Sequence, residues 1–181
     1  FMFYEVALIP MYLLIGVWGT GPKEYSAMKL TLMLMGGSAL LILGILGIYF
    51  FNGKYGGTFT FELNEIAKTS TLIPLAIQKV LFPFIFIGFG VLGALFPFHT
   101  WSPDGHASAP TAVSMLHAGV LMKLGGYGCF RIAMYLLPQA AHDLAWIFLI
   151  LTTCSVVYGA LSACVQTDLK YINAYSSVSH Y

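Results

Sequence analysis

Apolar runs about one bilayer long alternate with short polar stretches along this chain. A hydrocarbon core of about 30 Å takes roughly 20 helical residues at about 1.5 Å each. Five runs meet that length. The first covers about Phe1 to Trp18 and stops at Gly19-Thr20-Gly21-Pro22, where two glycines and a proline punctuate the chain. The second covers about Tyr25 to Phe51, the third about Ile73 to Phe98 and the fourth about Ala109 to Leu137. After Pro138 and the candidate cap Asp143 a fifth continues to about Val165. Past the polar turn Gln166–Lys170 a sixth helix starts near Tyr171. The expected fold class is all-α: a polytopic transmembrane bundle of about five full helices plus the start of a sixth.

The polar stretches refine that picture. Residues 52–72 contain Asn52-Gly53, Gly56-Gly57 and four charged side chains, and read as an extramembrane loop, hairpin-like or amphipathic, at one membrane face. The third run carries Gly88, Gly90 and Gly93 and closes with Pro97, the composition of a helix broken near 93–98. Broken membrane helices mark ion or substrate paths. The segment from His99 to His106 is polar enough to leave the hydrocarbon, with Trp101 suited to a headgroup belt. Lysines and the arginine divide almost evenly between the two faces, so the positive-inside rule gives no orientation.

Composition agrees with the pattern. Hydrophobic residues make up 59% and charged ones 8%, and the mean hydropathy is +0.82, too apolar for a water-soluble domain of this size. A formal charge of +1 leaves no basic surface for nucleic acid. Cys129, Cys154 and Cys164 all sit in apolar runs without a CxxC spacing, and read as small buried hydrophobes. Neither a zinc nor an iron–sulfur site follows from them, and no metal is expected. The chain starts in an apolar stretch without the charged leader of a signal peptide and stops as a helix begins, so it is expected to be an excerpt of a longer polypeptide.

Ionisable residues within the apolar runs are the candidates for chemistry. Lys123 is the most informative, because about 14 helical residues, roughly 20 Å, separate it from either end of its run, beyond the reach of snorkelling. Desolvation brings a lysine's protonation into the physiological range, as a proton relay requires; a salt bridge that holds helices together is the plainer alternative. Glu5 lies about 13 residues before the end of the first run, where a carboxylate either carries protons, tunes a lysine, or borders a polar end upstream. His117 stands six residues before Lys123, roughly 120° around a regular helix, and either shuttles protons or donates one hydrogen bond to a neighbouring helix. His99, Asp104 and His106 could form the mouth of a proton path or be ordinary interfacial side chains. Gly88–Gly93 matches G-x-G-x-x-G, but between apolar neighbours and without a βαβ context it reads as close helix packing or a helix break, not dinucleotide binding.

From Phe96 the text Phe-Pro-Phe-His-Thr-Trp-Ser-Pro-Asp-Gly-His-Ala-Ser-Ala-Pro-Thr-Ala, followed by Met122-Lys123-Leu124-Gly125-Gly126-Tyr127-Gly128, closely resembles the antiporter-like membrane subunits of respiratory complex I, in pattern most like the chain M (subunit 4) type. The resemblance continues through Gln166–Lys170 and Ala174–His180, and upstream through Glu5 and Pro10–Trp18. It implies that the runs correspond to the fifth through ninth of about fourteen helices, so that 1–181 is a partial antiporter-like domain holding most of the first of two inverted half-repeats and the start of the second.

The resemblance also implies a proton-translocating membrane-arm subunit of an NADH:quinone oxidoreductase. In such subunits a glutamate on the fifth helix pairs with a lysine on the broken seventh, and a lysine on the eighth passes protons onward. Glu5 matches the first and Lys123 the last, but the seventh-helix lysine position is Leu92 here. Lys29 and Lys170 also resemble family positions, yet sit near polar ends where solvent or headgroups would satisfy them. No cofactor is expected in this chain; flavin, iron–sulfur clusters and quinone belong to other subunits. The expected partners are other membrane-arm subunits, the lipid bilayer and protons, and the expected location is the bacterial plasma membrane. The alternatives are a subunit of a multi-subunit cation/proton antiporter, or a structural spacer whose transport is impaired by Leu92.

Overall fold

A computed structural model describes residues 1–180, and among them the regular structure is helical. Helix α1 spans Met2–Trp18 and α2 spans Lys23–Gly56. A short α3, Leu63–Thr69, leads through a 3-10 turn at Ser70–Leu72 into α4, Leu75–Leu92. Helix α5 spans Trp101–Ser108. One long helical rod then covers 111–136, made of α6 (Thr111–Leu116), a widened π-helical turn (His117–Leu121), α7 (Met122–Gly128) and a second widened turn (Cys129–Met134). Helix α8 spans Pro138–Val165 and α9 spans Leu169–Ser179. Helices α2, α4 and α8 are long and apolar enough to cross a membrane without interruption, and α1 is a shorter apolar helix.

The expected break in the third run is present: α4 ends at Leu92, and the chain turns through 93–100 before α5. Two features make the turn. Ala94 adopts a positive φ of 58°, and the Leu95 amide donates to Gly90 O at 2.7 Å, an i→i−5 bond that closes the end of α4. The Ser155 hydroxyl of α8 accepts from the Phe96 amide at 3.2 Å, tying the turn to the neighbouring helix.

Several expectations are corrected. Helix α2 runs on to Gly56, so residues 52–56 are helical, with Asn52 buried and bonded to Thr69 and Thr58. Residues 99–108 are not a polar excursion: α5 packs into the bundle and Trp101 is fully buried, so it does not serve a headgroup belt. The reason is that its indole N–H finds an internal acceptor, Val91 O at 3.0 Å, which removes the need for an interface. Asp143 lies within α8 rather than capping it, and pairs with Lys79 at 2.8 Å. Of the cysteines only Cys129 is buried; Cys154 and Cys164 face outward on α8.

Packing of α2 against α4 is the most extensive helix pairing in the bundle. Small residues allow it. A Cβ on Gly88 would stand 3.0 Å from Gly37 O and 3.1 Å from Leu41 Cβ, so the glycine of the apparent nucleotide motif serves close helix approach. Two apolar cores result. One gathers Phe82, Ile85, Phe86 and Phe148 between α4 and α8. The other gathers Leu8, Met11, Leu92, Trp101, Val113 and Met122, where α1, α4, α5 and the 111–136 rod meet.

Candidate functional site

Lys123 is the residue from which the site is built. It sits one residue into α7, between the two widened turns. The first turn is held by the Met122 amide donating to His117 O, five residues back instead of four. Such turns are rare in regular helices and recur at functional positions. The Lys123 side chain is exposed to a cavity of about 660 Å³ rather than enclosed by the bundle. Ser114 and Met122 line that cavity from its own rod, and Lys170, Asn173 and Ser177 line it from α9. His180 also borders it.

A polar line leads inward from the cavity wall. Ser114 Oγ is 2.8 Å from His106 Nδ1. The His106 ring stacks on His117, centroids 4.5 Å apart with an angle of 22° between planes, and His117 stacks in turn on Trp101 at 5.1 Å. His106 is 2% exposed and His117 is 0%, so both are interior groups and not interfacial ones. Among the described residues His106 Nε2 and both nitrogens of His117 are buried without a hydrogen-bond partner. Buried polar atoms left so are uncommon and call for a functional or solvent-mediated explanation.

A second polar group lies where α2, α5 and α9 converge. Lys29 Nζ donates to Asp104 Oδ2 at 2.6 Å, an ion pair between residues 75 positions apart. The Tyr171 hydroxyl lies close to the same carboxylate. Lys170 donates to the carbonyls of Ala107 and Ala109, both at 3.1 Å, closing the end of α5. Neither lysine is therefore simply solvated at a polar end, as the sequence suggested. His99 is buried at 4% and packs edge-on against Tyr158 with centroids 4.8 Å apart. Of the three residues read as a path mouth, only Asp104 reaches the surface, with its side chain 27% exposed.

Glu5 does not join these groups. Its Oε1 is buried without a hydrogen-bond partner among the described residues, in a separate cavity of about 400 Å³ between α1 and α2. Leu92, 4% exposed, is embedded in the apolar core between the two regions. The His106–His117–Trp101 stack and the Lys29–Asp104 pair were not legible as partnerships in the sequence. The available signal was a polar segment rich in small residues, which reads equally well as a surface turn.

Among the described residues no group of three or more His, Cys, Asp or Glu side chains gathers in a metal-binding arrangement. The family described as NADH:quinone oxidoreductase/Mrp antiporter, transmembrane, matches residues 1–181. The chain belongs to that family. It is 40% identical over 180 residues to NADH-quinone oxidoreductase subunit M of Rickettsia bellii (strain RML369-C), covering 99% of this chain and 35% of the relative. It is 41% identical to NAD(P)H-quinone oxidoreductase chain 4-2 of Synechocystis sp., covering 99% of this chain and 31% of the relative. The chain thus spans about a third of these relatives' length. In fold it is similar to a chain of respiratory complex I from Thermus thermophilus with bound NADH, with a TM-score of 0.87 and 27% identity, covering 99% of this chain and 37% of that one. A chain of an archaeal membrane-bound sulfane sulfur reductase is similar too, with a TM-score of 0.82 and 27% identity, covering 98% and 36%. This antiporter-family chain is accordingly a helical membrane bundle.

Proposed function

We propose that the chain is part of a proton-translocating membrane-arm subunit of a complex I-like NADH:quinone oxidoreductase, and that Lys123, His106 and His117 carry the protons. One observation supports this reading above the others. Lys123 stands mid-span on a hydroxyl-lined cavity whose wall leads through Ser114 to two stacked, interior histidines. An amine, a hydroxyl and imidazoles along one path can pass a proton by exchanging donor and acceptor roles once water bridges the gaps between them. Asp104, paired with Lys29 and partly exposed, is the group through which this line meets the aqueous side, with His99 within electrostatic reach of Lys29.

Electrons take no part here. The chain holds no redox cofactor of its own in this reading; flavin, iron–sulfur clusters and quinone are carried by other subunits, whose redox steps change the hydration and charge of the Lys123 cavity. The partners are those membrane-arm subunits and the lipid around them, in a bacterial plasma membrane. Because the family also includes Mrp antiporters, cation/proton exchange without a redox partner is the second reading. Dependence of proton movement on sodium rather than on NADH would favour it.

The experiment is Lys123→Ala in the complete subunit, within the assembled complex in proteoliposomes. NADH-driven proton uptake is expected to fall about a hundredfold, the lower range for losing a positioned proton-transfer group. Unchanged uptake with normal assembly would overturn the reading in favour of a structural spacer.

A further inference from the structure

Glu5 and Lys123 open onto different cavities of this bundle, and an apolar cluster lies between them. The Glu5 cavity is lined by Leu8, Ile9, Tyr12, Thr31 and Met35. Its Thr31 hydroxyl is already committed to Ala27 O at 2.8 Å. The Lys123 cavity shares no lining residue with it. Between the two stand Leu8, Met11, Leu92, Trp101, Val113 and Met122, all within one buried apolar cluster and none more than 7% exposed. Two polar groups at that seam are occupied as well. The Trp101 N–H is given to Val91 O, and the Ser102 hydroxyl donates to the Met122 sulfur at 3.7 Å.

Proton transfer needs a succession of donors and acceptors within hydrogen-bond reach, or water to bridge them, and water needs polar partners to stay. An apolar seam of this kind offers neither. We propose that Leu92 insulates Glu5 from Lys123, so that the proton on Lys123 is exchanged through Ser114 and His106 and not with Glu5. This rests on the reading of Lys123 as a proton carrier. Leu92 has the decisive place because it ends α4, with its side chain in the cluster that separates the cavities, where a longer side chain bearing an amine would put a donor into the seam. It acts as a positioning residue, by what it keeps out.

The test uses the complete subunit in the assembled complex, reconstituted into proteoliposomes, with NADH-driven proton uptake as the readout. Glu5→Gln alone is expected to leave uptake within about twofold of the parent, while Lys123→Ala lowers it about a hundredfold. In a Leu92→Lys background, Glu5→Gln is expected to become costly, lowering uptake several-fold relative to Leu92→Lys alone. In Leu92→Met, which keeps the seam apolar, Glu5→Gln stays silent. A Glu5→Gln loss as large as that of Lys123→Ala would overturn the insulation while leaving the proton-carrier reading intact. So would an absence of new Glu5 dependence in Leu92→Lys. Unchanged uptake in Lys123→Ala would overturn the underlying reading itself. Should Leu92→Lys fail to assemble, the single Glu5→Gln variant decides.

Discussion

On the α1 side of the end of α4, mostly apolar side chains line an open groove that holds the Glu5 carboxyl; on the α9 side, hydroxyls and lysines line an open cavity that leads to buried imidazoles. Composition separates the two sides in part, α1 and α4 being far more apolar than α5 and α9, but it does not fix where a polar route runs. Placement does. On the polar side small residues and serines face inward at successive turns, as at Ser26, Ser102, Ser108 and Ser114, with Ser108 Oγ donating to Ser26 Oγ at 2.8 Å. On the dry side the same inward positions hold Leu8, Met11, Ile15 and Leu34. A membrane bundle can therefore direct protons by which face of each helix carries its few polar groups, because in hydrocarbon a route exists only where polar groups follow one another without a gap.

That contrast can be broken most forcefully at Trp101, which belongs to the dry core and also supports the histidine stack. Trp101→Ala removes a fully buried ring and its bond to Val91 O. It is expected to cost about 3–5 kcal/mol, seen as a large fall in the detergent melting temperature or loss of the subunit from the purified complex. A milder perturbation confined to the polar side is Asp104→Asn, which removes the charge facing Lys29 at 2.6 Å. Because the pair is partly exposed, about 1 kcal/mol is expected, read as a small melting shift together with slower proton uptake and no change in the dry core. At the low end, Lys68→Ala breaks an exposed bond to Glu65 at 2.7 Å, far from both regions. It should change neither melting nor proton uptake, and a clear effect there would show that the division drawn at α4 is too local.

The helical runs and the break after Leu92 were legible from the chain because apolar run length and Gly/Pro punctuation are local properties. Lys123 was legible as well, since a cation centred in an apolar run is conspicuous whatever it contacts. Partnerships were not. Lys29 and Asp104 meet across 75 residues, and neither residue looks unusual among its own neighbours. Trp101 was assigned to an interface because tryptophan beside polar residues fits one, and only the Val91 carbonyl, ten residues away at the broken end of α4, explains its burial. On a regular helix His117 and Lys123 need not share a face; across the widened turn between them one is sealed inside while the other faces the cavity. What the linear text could not disclose was that His106, from another helix, would stack on His117.

The widened turns on either side of Lys123 carry a consequence for how this span tolerates change. Each accommodates one residue more than a regular helix uses for the same advance, as the amide bonds reaching back from Met122 to His117 and from Tyr135 to Phe130 record. Such slack makes length and facing separable: a deletion inside either turn can be absorbed as ordinary α-helix while the flanking side chains keep their directions. Drift in residue number at these two points of the rod is thus compatible with an unaltered lysine position, whereas the same drift within α7 itself would swing the amine away from its cavity.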